Sequence, residues 1–316
     1  MILQRLKFLR QYGILAVLIV LVIFFSLTTS AFLKTENLFN ITRQVAMLGI
    51  SAVGMSFVIL TAGIDLSVGS LMSLTNVVCA KLMVEGGVHP VLAVFITLLM
   101  TCIIGMINGT IITLANIPPL ITTLGMMTTL RGISYVLCSG YPIWGFPERF
   151  RVLGQGYVGP IPIPVIIMIL IFIIGWIFLN KTMYGRYVYG IGGNEEASRL
   201  SGINVRNMKY MVYILCSFLT GVASMIMLSR INTGQPKVGS GFELEVITAV
   251  VLGGVSIFGG QGKLIGVFIG VLIMGVLSNG MIIMNISEYW QLVVRGLVLL
   301  AAVGVDNLSS MKLRST

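Results

Sequence analysis

Charge is scarce in this chain. Lys, Arg, Asp and Glu make up 9% of its 316 residues, where a soluble domain carries about 25%. That leaves too little polar surface to meet water on all sides and excludes an ordinary soluble globule. Histidine is nearly absent. His89, placed before Pro90 in a short turn, is the single one, and one imidazole builds neither a metal site nor a proton relay. Cysteine is limited to Cys79, Cys102, Cys138 and Cys216, all within apolar runs and none in a CxxC pair. Neither zinc nor a disulfide framework is implied, and the four read as small buried apolar side chains. HExxH, a Ser/His/Asp set and paired carboxylates at helical spacing are all missing, so no catalytic or metal-ligating residue is assigned.

The charge that is present is basic: 20 Lys and Arg against 10 Asp and Glu, for a net +10. No basic patch with interleaved aromatics accompanies it, so nucleic acid is not an expected partner. Cytoplasmic loops beside anionic headgroups account for it instead. Hydrophobic residues reach 57% and mean hydropathy is +1.02. Apolar runs approach or exceed 18 residues, where barrel strands would alternate over about 10. The expected fold is therefore all-α: a polytopic helical membrane protein.

Ten apolar runs are present, at 14–27, 45–62, 66–84, 90–115, 120–138, 161–179, 210–228, 246–258, 264–284 and 289–305. They predict about ten transmembrane segments in a single domain over 1–316. The run 246–258 is short for a span, and 120–138 carries Arg131. Arg5, Lys7 and Arg10 precede the first run, and Thr28 to Ala31 is a weak cleavage site, so an uncleaved first helix with a cytoplasmic N-terminus is expected. Alternation then places 181–209 and the tail with Lys312 and Arg314 in the cytoplasm, and 140–160 and 230–245 outside. The segments richest in Lys and Arg land inside, as the positive-inside rule requires. A weak internal two-fold repeat is visible as well. Asn108-Gly109-Thr110-Ile111-Ile112 recurs as Asn279-Gly280-Met281-Ile282-Ile283, a pattern typical of transporters.

Three polar interruptions carry the functional signal. In 62–70, Asp65 sits with Ser67 and Ser70 between two apolar runs. One reading has Asp65 N-capping the helix that follows. The other has a broken helix beside a translocation path, with Asp65 facing water or a sugar hydroxyl. Ser67, Asn108 and Asn279 join Asp65 as candidate path residues, because each is polar at or near the boundary of an apolar run. The glycine-rich 252–263 is not a phosphate loop, since Leu264 follows Lys263 where Ser or Thr is required. It reads as a tight turn, and the chain has no ATP-hydrolysing apparatus of its own. The intramembrane charges are Asp65, Arg131 and Arg295, with Glu243 and Glu245 flanking a span, too few for an ion-driven relay.

The third interruption, 181–209, holds Lys181, Arg186, Glu195, Glu196, Arg199, Arg206 and Lys209. Burying all of them in a bilayer would cost roughly 20 kcal/mol, so the segment lies outside it. Asn194 is a good N-cap, and Glu195 and Glu196 suit the first turn of a helix at 195–201. Ala197 lies inside that turn, Glu195 and Arg199 stand at i, i+4, and Gly202 follows Ser201 where glycine stops helices. Leu200 and Ile203 put apolar side chains at the tip. Such a helix either docks in a groove on another protein or lies on the headgroups.

Taken together, NLFNI (37–41), GMSFVILTAGIDLSVGSLMSL (54–74), GRYVYGIGGNEEASRLSGINV (185–205), QPKVGSGFELEVITAVVLGGVSIFGGQG (235–262) and the late VDN (305–307) resemble the permease subunits of bacterial carbohydrate-uptake ABC importers, most closely the ribose type. The match covers nearly the whole chain and is loosest at 116–120 and 140–159. The resemblance implies a multi-pass protein of the bacterial inner membrane that passes a monosaccharide inward by alternating access. It implies as partners a periplasmic or lipoprotein sugar-binding protein, a second permease copy in a homodimer, and a cytoplasmic ABC ATPase that binds ATP and Mg. This chain itself would bind no cofactor, and the helix from Asn194 to Ile203 would be the coupling helix. The rivals are a self-contained ion-coupled sugar symporter or facilitator and an integral-membrane enzyme. The missing catalytic set weighs against the latter.

Overall fold

The computed structural model describes residues 2–314, with side chains described at 13–304, 306 and 307. Arg5, Lys7, Arg10, Lys312 and Arg314, whose charges entered the orientation expectation, lie outside the described side chains. The described residues are mostly helical: α1 Ile2–Thr28, α2 Thr35–Leu60, α3 Val68–Val84, α4 Pro90–Leu114, α5 Pro119–Cys138, α6 Val152–Gln155, α7 Ile163–Lys181, α8 Met183–Gly193, α9 Glu195–Leu200, α10 Val205–Ile231, α11 Phe242–Leu252, α12 Leu264–Ile283 and α13 Glu288–Arg314. One two-residue hairpin, β1 Tyr157–Val158 with β2 Ile161–Pro162, interrupts them. Among the described residues six helices are long and apolar enough to cross a membrane, with Gly13–Thr28 and Val68–Val84 shorter but apolar. Each of the ten apolar runs overlaps a helix, although 253–258 lies beyond the end of α11. The α11 helix has 11 residues, about 16 Å of rise, roughly half of a 30 Å hydrocarbon core.

Contacts between distant segments sort the loops to two ends of the bundle. At one end the Gly260 N–H donates to the carbonyl of Leu60 at 2.9 Å, Tyr189 Oη to Gly262 at 3.0 Å and Thr123 Oγ1 to Ile64 at 3.1 Å. Ser256 Oγ also donates to Asp306 there, at 3.0 Å. Gly13 of α1, Gly254 and Asp306 line one cavity. This end therefore gathers the start of α1, the α2–α3 turn, α8, the glycine-rich loop and the far part of α13. At the opposite end Ile143 bridges Gly234, Arg43 Nη2 donates to the Gln155 carbonyl at 3.2 Å and the Gly154 N–H to Ser229 Oγ at 2.8 Å. The segments 140–160 and 229–234 thus sit together, away from 181–209.

The α10 helix is the central post, packed against α2, α3 and α4. Its neighbours approach through small residues, as membrane helices do when backbones must meet. A Cβ on Gly54 would fall 2.8 Å from Cys216 Cα, and one on Gly105 would fall 2.7 Å from the Tyr213 carbonyl. Outward faces of α4 and α7 expose Leu99, Ile103, Ile173 and Ile174.

The half-length of α11 has a cause. After α10 the chain turns back along α3: the Gln235 N–H donates to Asn76 Oδ1 at 2.9 Å, and the Gly239 N–H to Ser73 Oγ at 3.0 Å. The α11 helix therefore begins inside the bundle. This corrects the expectation that Glu243 and Glu245 flank a span. Glu243 is buried and lies 3.8 Å from Arg131, and Glu245 pairs with Arg295. Charges at such depth persist only when paired.

Candidate coupling loop and translocation path

The loop 181–209 folds as two short helices. In α9 the Asn194 Oδ1 accepts the Ala197 N–H at 2.9 Å, the cap that its sequence predicts. Gly202, at φ +84°, ends the helix, and the Ile203 N–H closes back onto the Ser198 carbonyl at 3.1 Å in a Schellman-like stop. Two details differ from expectation. Arg199 pairs with Glu196 at 2.7 Å, whereas Glu195 reaches Lys209 on α10, also at 2.7 Å. A partner on another helix fixes α9 in space, which an i, i+4 pair cannot do. The apolar tip also divides: Leu200 is 80% exposed, while Ile203 packs against the core. Ser201 Oγ bonds the Ala197 carbonyl at 2.8 Å.

The α8 helix has no counterpart in the sequence reading, because Gly185, Gly190, Gly192 and Gly193 argue against a helix there. Those glycines mark close approach instead. A Cβ on Gly192 would collide with the Leu60 carbonyl and the Gly260 nitrogen. The end of α8 thus touches both the α2 terminus and the glycine-rich loop. Tyr189, which reaches Gly262, is half-buried, and burial pushes its phenol above the usual tyrosine range.

Beyond that contact lies the α2–α3 turn. Asp65 Oδ1 accepts both the Ser67 N–H at 2.9 Å and Ser67 Oγ at 2.5 Å, and Asn108 Nδ2 donates to Ser67 Oγ at 3.2 Å. All three residues are fully buried. Ser67, not Asp65, occupies the cap position of α3, so Asp65 holds the turn before the helix rather than capping it. Among the described residues Asp65 Oδ2, Asn108 Oδ1 and Tyr213 Oη have no hydrogen-bond partner. Asn279 does not join this cluster. It exchanges two hydrogen bonds with Asn37 of α2, at 3.0 and 2.9 Å, at the opposite end of the bundle.

Between those two polar places lies a cavity of about 190 Å³ that includes Gln44, Ser240, Glu245, Ser278 and Arg295 in its wall. Sequence reasoning flagged Arg295 and Glu245 as charges in or near apolar runs but had no signal that they meet. Gln44, Ser240 and Ser278 carried no signal, because a single uncharged polar residue in a helix is unremarkable.

A permease-family model, described as "Branched-chain amino acid transport system / permease component", matches residues 37–303. The chain is similar to the ribose import permease protein of Bacillus subtilis, 44% identical over 295 residues, covering 93% of this chain and 91% of that protein. It is similar to the ribose import permease protein of Escherichia coli, 43% identical over 301 residues and covering 94% and 93%. It is also similar to the D-allose transport system permease protein of Escherichia coli, 37% identical over 302 residues and covering 95% and 92%. No solved structure matches the chain.

Proposed function

The chain belongs to the family of branched-chain amino acid transport system permease components, and from that premise we propose that it is the membrane-spanning permease of an ATP-driven sugar importer. It passes a monosaccharide, ribose or a related sugar, from a periplasmic or lipoprotein binding protein to the cytoplasm by alternating access. The observation that carries the sugar reading is the likeness to ribose import permeases along nearly the whole of both chains.

The finer parts of the proposal rest on the geometry. Hydrolysis of ATP, with Mg, belongs to a separate ATPase, because 252–263 serves as a turn. The segment from Asn194 to Ile203 is the coupling helix, supported by the exposure of Leu200 and the Glu195–Lys209 tether. Asp65, Ser67 and Asn108 stand at the loop end of the path and Asn279 at the other. The domain is a single permease unit in the inner membrane, with 181–209 and both termini cytoplasmic. The loop's Lys and Arg content supports that orientation. Ten membrane elements, α11 among them as a half-helix, carry a weak internal two-fold repeat. Asn108 and Asn279 each precede a glycine set against an aromatic ring, Tyr210 and Phe25, on helices running in opposite directions. A second copy completes a homodimer.

The test is assembly. The tagged chain, produced with the ATPase and binding protein encoded beside it, should retain the ATPase through purification. Its ATP hydrolysis should rise when D-ribose-loaded binding protein is added. A chain that purifies without an ATPase and transports sugar in its absence contradicts the proposal.

A further inference from the structure

We infer that the cavity walled by Gln44, Ser240, Glu245, Ser278 and Arg295 is a binding station for the monosaccharide within this subunit, an inference that rests on the importer reading above. Its place is the first reason. Ser278 adjoins Asn279, at one end of the proposed path, and Met72, also in the wall, lies on α3 just beyond the Asp65–Ser67 turn at the other. The cavity therefore lies between the polar positions already proposed for the path.

Its chemistry is the second reason. A sugar hydroxyl is both donor and acceptor, so a site for it needs convergent groups of both kinds. Glu245 supplies acceptors, Arg295 supplies donors, and Gln44, Ser240 and Ser278 can do either. Glu245 and Arg295 pair with each other, while Arg295 Nε is buried and has no partner among the described residues. The guanidinium is held by Glu245 and, at 3.5 Å, by Gln291 Oε1, two partners for its five N–H donors, which leaves donors for a ligand oxygen. The floor includes Met72 and Met274, whose flexible thioethers adapt to an apolar ring face. Volume is the third reason. At about 190 Å³ the space is about six times the share of one water in the liquid, the scale of a pentose. Ser240 is exposed at the mouth, and Ser278 is buried at the base.

The experiment uses the assembled transporter in membranes with labelled D-ribose. Ser278→Phe should lower uptake roughly tenfold or more, because a filled site rejects its solute by clash. The lipid-facing Ile173→Phe should leave uptake unchanged. Should Ser278→Phe fail to reach the membrane, Ser278→Cys decides. In the assembled complex it should react with a small aqueous thiol reagent, excess D-ribose should slow that reaction, and the modified complex should lose uptake. Parental uptake by a membrane-inserted Ser278→Phe, or a Ser278→Cys thiol indifferent to D-ribose, overturns the binding station and leaves the importer reading intact. A parent complex that moves neither D-ribose nor D-allose with ATP overturns the importer reading itself.

Discussion

At the scale of single residues, the account turns on buried charge. Arg295 and Glu245 are each mostly buried, and each is the other's ion-pair partner. Removing one leaves the other uncompensated in a low-dielectric interior, which costs about 3–5 kcal/mol, whereas replacing both with apolar residues of similar volume is often neutral. Arg295→Met should therefore lower thermal stability in detergent sharply, and Glu245→Leu with Arg295→Met should recover most of the loss. Equal stability of the single and double variants contradicts the pairing. Asp65 shows what a sequence reveals at this scale. One carboxylate in a long apolar stretch announces a special position, and its bond to Ser67 follows from local spacing. The bond from Asn108 to Ser67, and the separate pairing of Asn279 with Asn37, depend on helix packing that no local pattern encodes.

At the scale of elements, α9 was legible and α8 was not. The polar cap, the acidic first turn and the glycine stop are short-range signals, and all three act as their chemistry predicts. The glycines of α8 serve a long-range purpose, the approach to Leu60 and Gly260, and so their local propensity misleads. The start of α11 inside the bundle was hidden for a similar reason, since hydrogen bonds from Gln235 and Gly239 to α3 set it. Three substitutions separate α9's roles. Asn194→Ala removes one cap bond and should weaken the helix by about 1 kcal/mol, read as faster amide exchange at residues 195–201. Leu200→Asp touches only an exposed side chain. It should leave membrane insertion and stability unchanged while abolishing retention of the ATPase. Gly202→Pro places a fixed negative φ where the backbone holds +84°, and it should lose both the helix stop and the ATPase. Full retention of the ATPase by Leu200→Asp contradicts the docking role.

At the scale of the whole molecule, the two-ended sorting of loops is the main consequence of the fold. That the chain is a polytopic helical membrane protein was readable from hydropathy alone, because each helix must satisfy its own backbone in lipid. Which helices touch was not readable, because Leu, Ile and Val face lipid and neighbours alike. Orientation can be measured directly. Trp144→Cys, exposed in the loop 140–160, should label with an impermeant thiol reagent on intact cells, and Leu200→Cys should label only after the membrane is opened. Reversed labelling contradicts the proposed orientation, and labelling of both from outside contradicts the two-ended bundle.

The central claim is that this chain carries sugar while another protein supplies the energy, and ATP-driven uptake tests it most directly. Sealed proteoliposomes should contain the chain with its ATPase, ATP and Mg enclosed, and the binding protein and labelled D-ribose outside. The account predicts accumulation that stops without enclosed ATP, persists when proton and sodium gradients are collapsed, and disappears with Leu200→Asp. Accumulation that needs no ATPase and collapses with an ion gradient would contradict it.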